Sequence, residues 1–228
     1  MREEVLKLVN HEPWIECGEN RAYLKWGHYP ETEGMLDPLS IKRAFVIDSG
    51  GEKPVVVGRD KESSQKGGLF LEFEAEKPYM VGVELDRGIY SITDDNKWIF
   101  GDKRLASGYT IRETRWFWGY IKAYTFNDEM GEIKPFAAGF EFEIMPEVLK
   151  PFKSGDKMKI QLIFRGKSVN SVVKVGTKDG IEEVAVDGFC EITLKEGVNV
   201  IVARYVDKIS TGVYDKRNLT ATLTVVAR

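Results

Sequence analysis

Two imidazoles, His11 in NHEPWIEC and His28 in YLKWGHYPETEGMLDP, are the only histidines in the chain, and each lies within a few positions of a tryptophan. Neutral imidazole is a strong ligand for nickel, cobalt, copper and zinc, so the first question is whether the two rings meet. Joining HEPWIEC to AYLKWGH through GENR gives a hairpin. With the turn centred between Glu19 and Asn20, Cys17 faces Ala22, Ile15 faces Leu24, Pro13 faces Trp26 and His11 faces His28. Side chains alternate along a strand, so these four pairs share one face, apolar except at the histidine end. The other face carries Glu16 with Tyr23, Trp14 with Lys25 and Glu12 beside Gly27, and is expected to be exposed. A slip of one residue would mix apolar with charged positions, so the pattern itself selects the register.

Directly opposed residues hold their Cβ atoms roughly 4.5–5.5 Å apart, close enough for two rings to turn toward one divalent ion. Two ligands are an incomplete shell. Glu31, Glu33 and Asp37 in the following loop, and Asp86, Asp94 and Asp95 further on, could complete it; Glu31 and Asp86 are the carboxylates selected here, giving the expected ligand set His11, His28, Glu31 and Asp86. The competing explanation is a purely structural pair, hydrogen-bonded to backbone carbonyls.

The elements that must position this pair are strands almost throughout. RAYLKW, KRAFVI, PVVVG, GLFLEFEA and YMVGVEL are short runs rich in β-branched and aromatic residues, separated by turn signals. FVIDSGGEKPVVVG reads as a hairpin turning at SGGE, and VGVELDRGIYSIT as a second turning at Asp86-Arg87-Gly88. RWFWGYIKAYTF and AGFEFEIMP follow. Only REEVLKLV at the N-terminus has a helical pattern. Pro146 and Pro151 bracket EVLK, and beyond them the strand pattern restarts with KMKIQLIF, SVVKVGT, EEVAV, FCEITL, VNVIVARYV and LTATLTVV. The expected fold is therefore all-β, with two immunoglobulin- or transthyretin-like sandwiches in tandem: a decorated one over 1–145 carrying the metal site, and a smaller one over 146–228.

Composition removes several classes of function. Thirty-three basic and 36 acidic residues give a net charge of −3 with no block of one sign, unlike the basic footprint of a nucleic-acid binder. No apolar run is long enough to span a bilayer, and MREEVLKLVN does not read as a signal peptide. Cys17 and Cys190 are expected to be separate thiols, a single long-range bridge being the alternative. There is no G-x-S-x-G elbow, HExxH or Walker loop, and SITDDNKWIFGDK lacks the glycine spacing of an EF-hand, so no enzymatic activity is expected. Trp116, Trp118 and Tyr120 share a strand face, an arrangement found more often in cores than in ligand sites. Asn218-Leu219-Thr220 is a formal glycosylation sequon at the start of a predicted strand.

HEPWIE, YLKWGHYPETEGMLDP, VELDRGIYSITDDNKWIFG, WGYIKAYT and YDKRNLTATLTVV together resemble a domain-of-unknown-function family described as the periplasmic component of nickel or cobalt uptake systems (NikM-like). GFEFEIMPEV followed by GDKMKIQLIFRGKSVNSVVKV is similar to that family's passage into its second domain. The resemblance implies an extracytoplasmic, non-enzymatic protein that binds Ni²⁺ or Co²⁺ and presents it to a membrane transporter, with His11 and His28 at the family's H…W and WGH positions. The chain departs from that family in having no further histidine. The rival from another class is an interaction or adhesion module that binds a protein or glycan, its histidines structural.

Overall fold

Alternation breaks down where it is most informative. In GYIKAY, residues 119–124, every residue is buried, as is every residue of YMVGV, 79–83. A strand reads this way when both of its faces are covered. A computed structural model, describing residues 10–18, 21–34, 36–65, 68–104 and 108–228, shows why. The REEVLKLV helix expected at the N-terminus, and the turn residues Glu19 and Asn20, lie outside the described residues.

Among the described residues, eighteen strands form three sheets, accompanied by a short helix α1 (Lys61–Gln65) and a 3-10 turn at Pro38–Ser40. The expected all-β class is what the structure shows. A central nine-stranded sheet runs β15 (Gly180–Val186), β14 (Ser171–Thr177), β17 (Gly197–Asp207), β18 (Lys216–Ala227), β10 (Ile111–Thr125), β8 (Tyr79–Thr93), β4 (Ile41–Asp48), β5 (Gly51–Pro54), with β9 (Trp98–Phe100) beside β8. One small sheet holds β1 (Glu12–Cys17), β2 (Arg21–His28), β3 (Glu31–Thr32), β6 (Val56–Gly58) and β7 (Gly68–Glu72). The other holds β11 (Phe142–Pro146), β12 (Lys157–Phe164), β13 (Lys167–Ser168) and β16 (Cys190–Thr193).

The two small sheets cover opposite faces of the central one. Val81, Val83, Leu85, Ile121 and Ala123 pack with Ile15, Leu24, Trp26, Leu69 and Leu71 of the first. Their neighbours Met80, Tyr120 and Tyr124 point the other way and pack with Phe142, Ile144, Ile160 and Leu162 of the second. Strands β8 and β10 are thus the middle layer of a three-layered β-sandwich. On the second face, Lys122 is buried against Glu143 with Nζ 2.5 Å from Oε1, a charge pair inside the core.

The break expected at Pro146 is not a break in the sheets. β18 pairs in parallel with β10 over Arg115–Ala123, and β11, ending at Pro146, pairs with β12. Residues before and after 146 therefore share one sheet and one core. The SGGE hairpin forms, with Asp48 opposite Gly51. The second expected hairpin does not: Asp86-Arg87-Gly88 lies inside the 15-residue β8, which pairs with β10 on both sides of it. Register passes from Phe117–Gly88 to Trp118–Asp86, leaving Arg87 as the extra residue of a β-bulge. Gly88 takes φ +89° and donates its N–H to Asp86 Oδ1. The local chemistry is that of a turn, but the chain does not reverse.

Cys17 and Cys190 are free thiols. Trp118 packs at the edge of the larger core, and Trp116 donates its indole N–H to Asp86. Asn218 lies within β18, paired with Phe117 in the central sheet. Among the described residues no helix is long and apolar enough to cross a membrane.

Candidate metal centre

The register that brings the histidines together is present. β1 and β2 pair with Cys17 opposite Ala22, Ile15 opposite Leu24 and Pro13 opposite Trp26. His11, one residue before the ladder, continues it: its ring lies 4.9 Å from that of His28, edge to face at 89°. One expectation about this hairpin is overturned. Its second face is covered rather than exposed, for Trp14 is fully buried against Val200 and Val202 of β17 and meets Tyr29 edge to face. Lys25 and Trp14 Nε1 both reach the Glu16 carboxylate, at 2.7 and 2.9 Å, which satisfies the polar atoms on that covered face.

The carboxylate that joins the pair is Glu33. Atoms of His11, His28 and Glu33 able to bind a metal all lie within 4.8 Å of one another, with His11 Nε2 3.3 Å from Glu33 Oε2. Gly27 makes this possible. After His28 the chain reverses at Tyr29-Pro30 and β3 pairs back, Gly27 opposite Thr32 and His28 opposite Glu31. Glu33 then donates its N–H to the Trp26 carbonyl at 2.8 Å. A side chain at Gly27 would stand 2.4 Å from the Glu31 carbonyl oxygen and 2.6 Å from the Glu33 nitrogen, and its φ of +149° is itself a glycine conformation. The W-G-H triplet therefore combines a core anchor, a close approach and a candidate ligand.

The other expected carboxylates are placed elsewhere. Glu31 is exposed, directly across from His28 in the β2–β3 ladder but outside the group formed with His11. Asp86 accepts from Trp116 Nε1 and from the Gly88 N–H, and Lys42 stands 4.0 Å away. Asp37 caps the 3-10 turn by accepting from the Leu39 N–H, and Asp95 pairs with Lys97 at 2.6 Å.

His11 is 4% exposed, and among the described residues the Glu33 carboxylate, 3.3 Å from Nε2, is the group that stands against its ring nitrogens. Burial lowers its pKa, the neighbouring His28 lowers it further, and Glu33 offsets part of the effect. The ring is therefore neutral at pH 7, with a lone pair to donate. This is the form that binds metal, whereas a structural histidine would hydrogen-bond a carbonyl.

Arg87 is the neighbour that the sequence pattern does not announce as part of this site. Displaced by the bulge, it donates to the His11 carbonyl at 2.8 Å and to Thr220 Oγ1 at 3.2 Å, and lies 4.7 Å over the Trp26 ring. Burial pulls its pKa down to about 9, with Arg204 adding to the effect, so it remains a cation at neutral pH. It fixes the His11 main chain and places a positive charge beside the group formed by His11, His28 and Glu33. The signal for it is the Asp-Arg-Gly triplet, which marks an irregularity wherever it falls. Searches against protein-family models, curated proteins and solved structures find no match to this chain.

Proposed function

We propose that this protein binds a divalent transition-metal ion through His11, His28 and Glu33, with Ni²⁺ or Co²⁺ as cargo. The carrying observation is the convergence of three ligand atoms within 4.8 Å, one from a buried imidazole whose nitrogens hydrogen-bond no group outside the cluster among the described residues. Two imidazoles and a carboxylate suit nickel, cobalt, copper and zinc alike. Nickel or cobalt, and delivery to a membrane transporter from an extracytoplasmic position, rest on the resemblance carried by HEPWIE and WGHYPETEGMLDP. A three-ligand set leaves coordination positions for water or for an acceptor's ligands, as reversible carriage requires.

Titration calorimetry with Ni²⁺, Co²⁺ and Zn²⁺ tests this on wild type, His11→Ala, His28→Ala and Glu33→Gln. Each histidine variant should lose affinity by similar factors, at least the roughly 10–100-fold typical of removing an outer-shell partner. Uptake that is equal in all four proteins, or absent from wild type, would make the histidines structural and leave the interaction-module reading in place.

A further inference from the structure

Burial across the proposed metal centre falls off in one direction. His11, at the inner end, is 4% exposed, whereas the Glu33 side chain is 39% exposed, and His28 and Glu31 are both exposed. The β1–β2 ladder continues from Glu12–Gly27 to bring His11 beside His28, and the β2–β3 ladder pairs His28 with Glu31. Three strands therefore present His11, His28 and Glu31 in one row, running from the interior outward. Directly opposed residues hold their Cβ atoms roughly 4.5–5.5 Å apart, so Glu31 is as near a neighbour of His28 as His11 is. Among the described residues no donor or cation engages the Glu31 carboxylate.

A cargo site needs a path for the ion as well as ligands. An ion held by His11, His28 and Glu33 that left in one step would give up three ligands at once. His28 offers an alternative, because it stands between the buried imidazole on one side and a free carboxylate on the other. Imidazole and carboxylate both bind the divalent ions in question. Building on the metal-binding reading above, we propose that Glu31 is the exit ligand of this site. His28 keeps the ion while Glu31 takes the place of His11 and Glu33. One coordinate bond to a Glu31 oxygen forms as those to His11 and Glu33 break, and no electron or proton changes hands. The ion then sits at the surface on one imidazole, one carboxylate and water, where an acceptor's ligands or a free chelator can remove it. Entry is the same route reversed.

Stopped-flow kinetics on the full chain, as wild type, Glu31→Gln and Glu33→Gln, tests this. Capture of Ni²⁺ is followed by quenching of Trp26, whose ring lies 5.8 Å from that of His11. Removal is followed by the absorbance of the nickel complex formed with excess terpyridine, an uncharged chelator. A residue on the path and a ligand of the inner group differ in sign. Glu31→Gln, an isosteric change at an exposed position, should leave affinity within about fivefold of wild type, the scale of one surface charge. It should nevertheless slow capture and removal alike, by about tenfold. Glu33→Gln should weaken binding and speed removal. The slowing in Glu31→Gln should persist in about 1 M salt, where a charge that acts only by attraction at a distance is screened. Wild-type rates in Glu31→Gln, faster removal from it, or a slowing that vanishes in salt overturns the exit ligand and leaves the metal-binding reading standing. A wild-type protein that takes up no Ni²⁺ overturns that reading, and the exit ligand with it.

Discussion

Gly27→Ala is the substitution that most directly tests how the fold builds the proposed metal centre. The added methyl would stand 2.4 Å from the Glu31 oxygen and 2.6 Å from the Glu33 nitrogen, both backbone atoms with no flexible end to yield. Either Gly27 leaves its φ of +149° or β3 is pushed off β2. Holding a non-glycine residue in such a conformation costs about 1–3 kcal/mol. Losing the Glu33 N–H to Trp26 carbonyl bond, 2.8 Å long, adds about 1 kcal/mol. The expected loss of stability is therefore about 2–4 kcal/mol. With a urea slope of about 3 kcal/mol/M, the midpoint falls by about 1 M. The histidines are set by the β1–β2 ladder, whose last pair is Gly27 with Glu12. The pairs from Pro13–Trp26 to Cys17–Ala22 lie away from the clash, so the rings should still meet; Glu33 should not. Metal affinity should then fall by about as much as in Glu33→Gln, a side chain 39% exposed whose own substitution should leave the urea midpoint nearly unmoved. Urea unfolding and calorimetry on the two variants give four numbers. A Gly27→Ala protein with wild-type midpoint and wild-type metal affinity would refute the assignment of Gly27 as the residue that delivers Glu33.

Two further predictions concern paired charges, one buried and one half-buried. Lys122→Met should destabilise by about 3–5 kcal/mol, because it strands the Glu143 carboxylate in the core. The double variant Lys122→Met/Glu143→Gln keeps an acceptor for the Ala138 N–H and should recover most of that loss, as read by chemical unfolding. At Glu141, burial raises the carboxyl pKa, but hydrogen bonds from Arg217 and Arg165 outweigh it and hold it at about 2, below the ordinary value of 4.5. A depressed folded-state pKa stabilises above the unfolded value, so this contribution, about 2–3 kcal/mol, is present at neutral pH and lost as pH falls from about 4.5 toward 2. Glu141→Gln should flatten the acid limb of the thermal-stability profile in that window, and an unchanged limb would count against the assignment.

The histidine meeting was legible in the sequence because everything that determines it is local. Pro13, Ile15 and Cys17 alternate against Ala22, Leu24 and Trp26 within one hairpin, and only one register keeps the charged positions off that face. What the pattern missed is non-local in each case. Trp14 stands on the face that carries Glu12, Glu16 and Lys25, and is buried only because β17, almost 190 residues later, lies against it. Residues 146–228 look self-contained because turn signals report on adjacent strands; the parallel pairing of β18 with β10 joins segments about 100 residues apart and leaves no mark in either turn. Asp86-Arg87-Gly88 carries the chemistry of a reversal, down to a positive φ at Gly88 and a side-chain acceptor for its N–H. Whether such a triplet reverses the chain or kinks it depends on whether the flanking strands pair with each other or with a third. Here Val81–Leu85 and Ile89–Ile92 both pair with β10, so the triplet became a bulge, and the residue it turned aside reached the His11 carbonyl. Alternation alone would place Glu31, in β3, and Glu33, one residue beyond it, on the same face. The choice between them was made by the absent side chain at Gly27, which lets the chain close in until Glu33, opposite Trp26, comes level with His11.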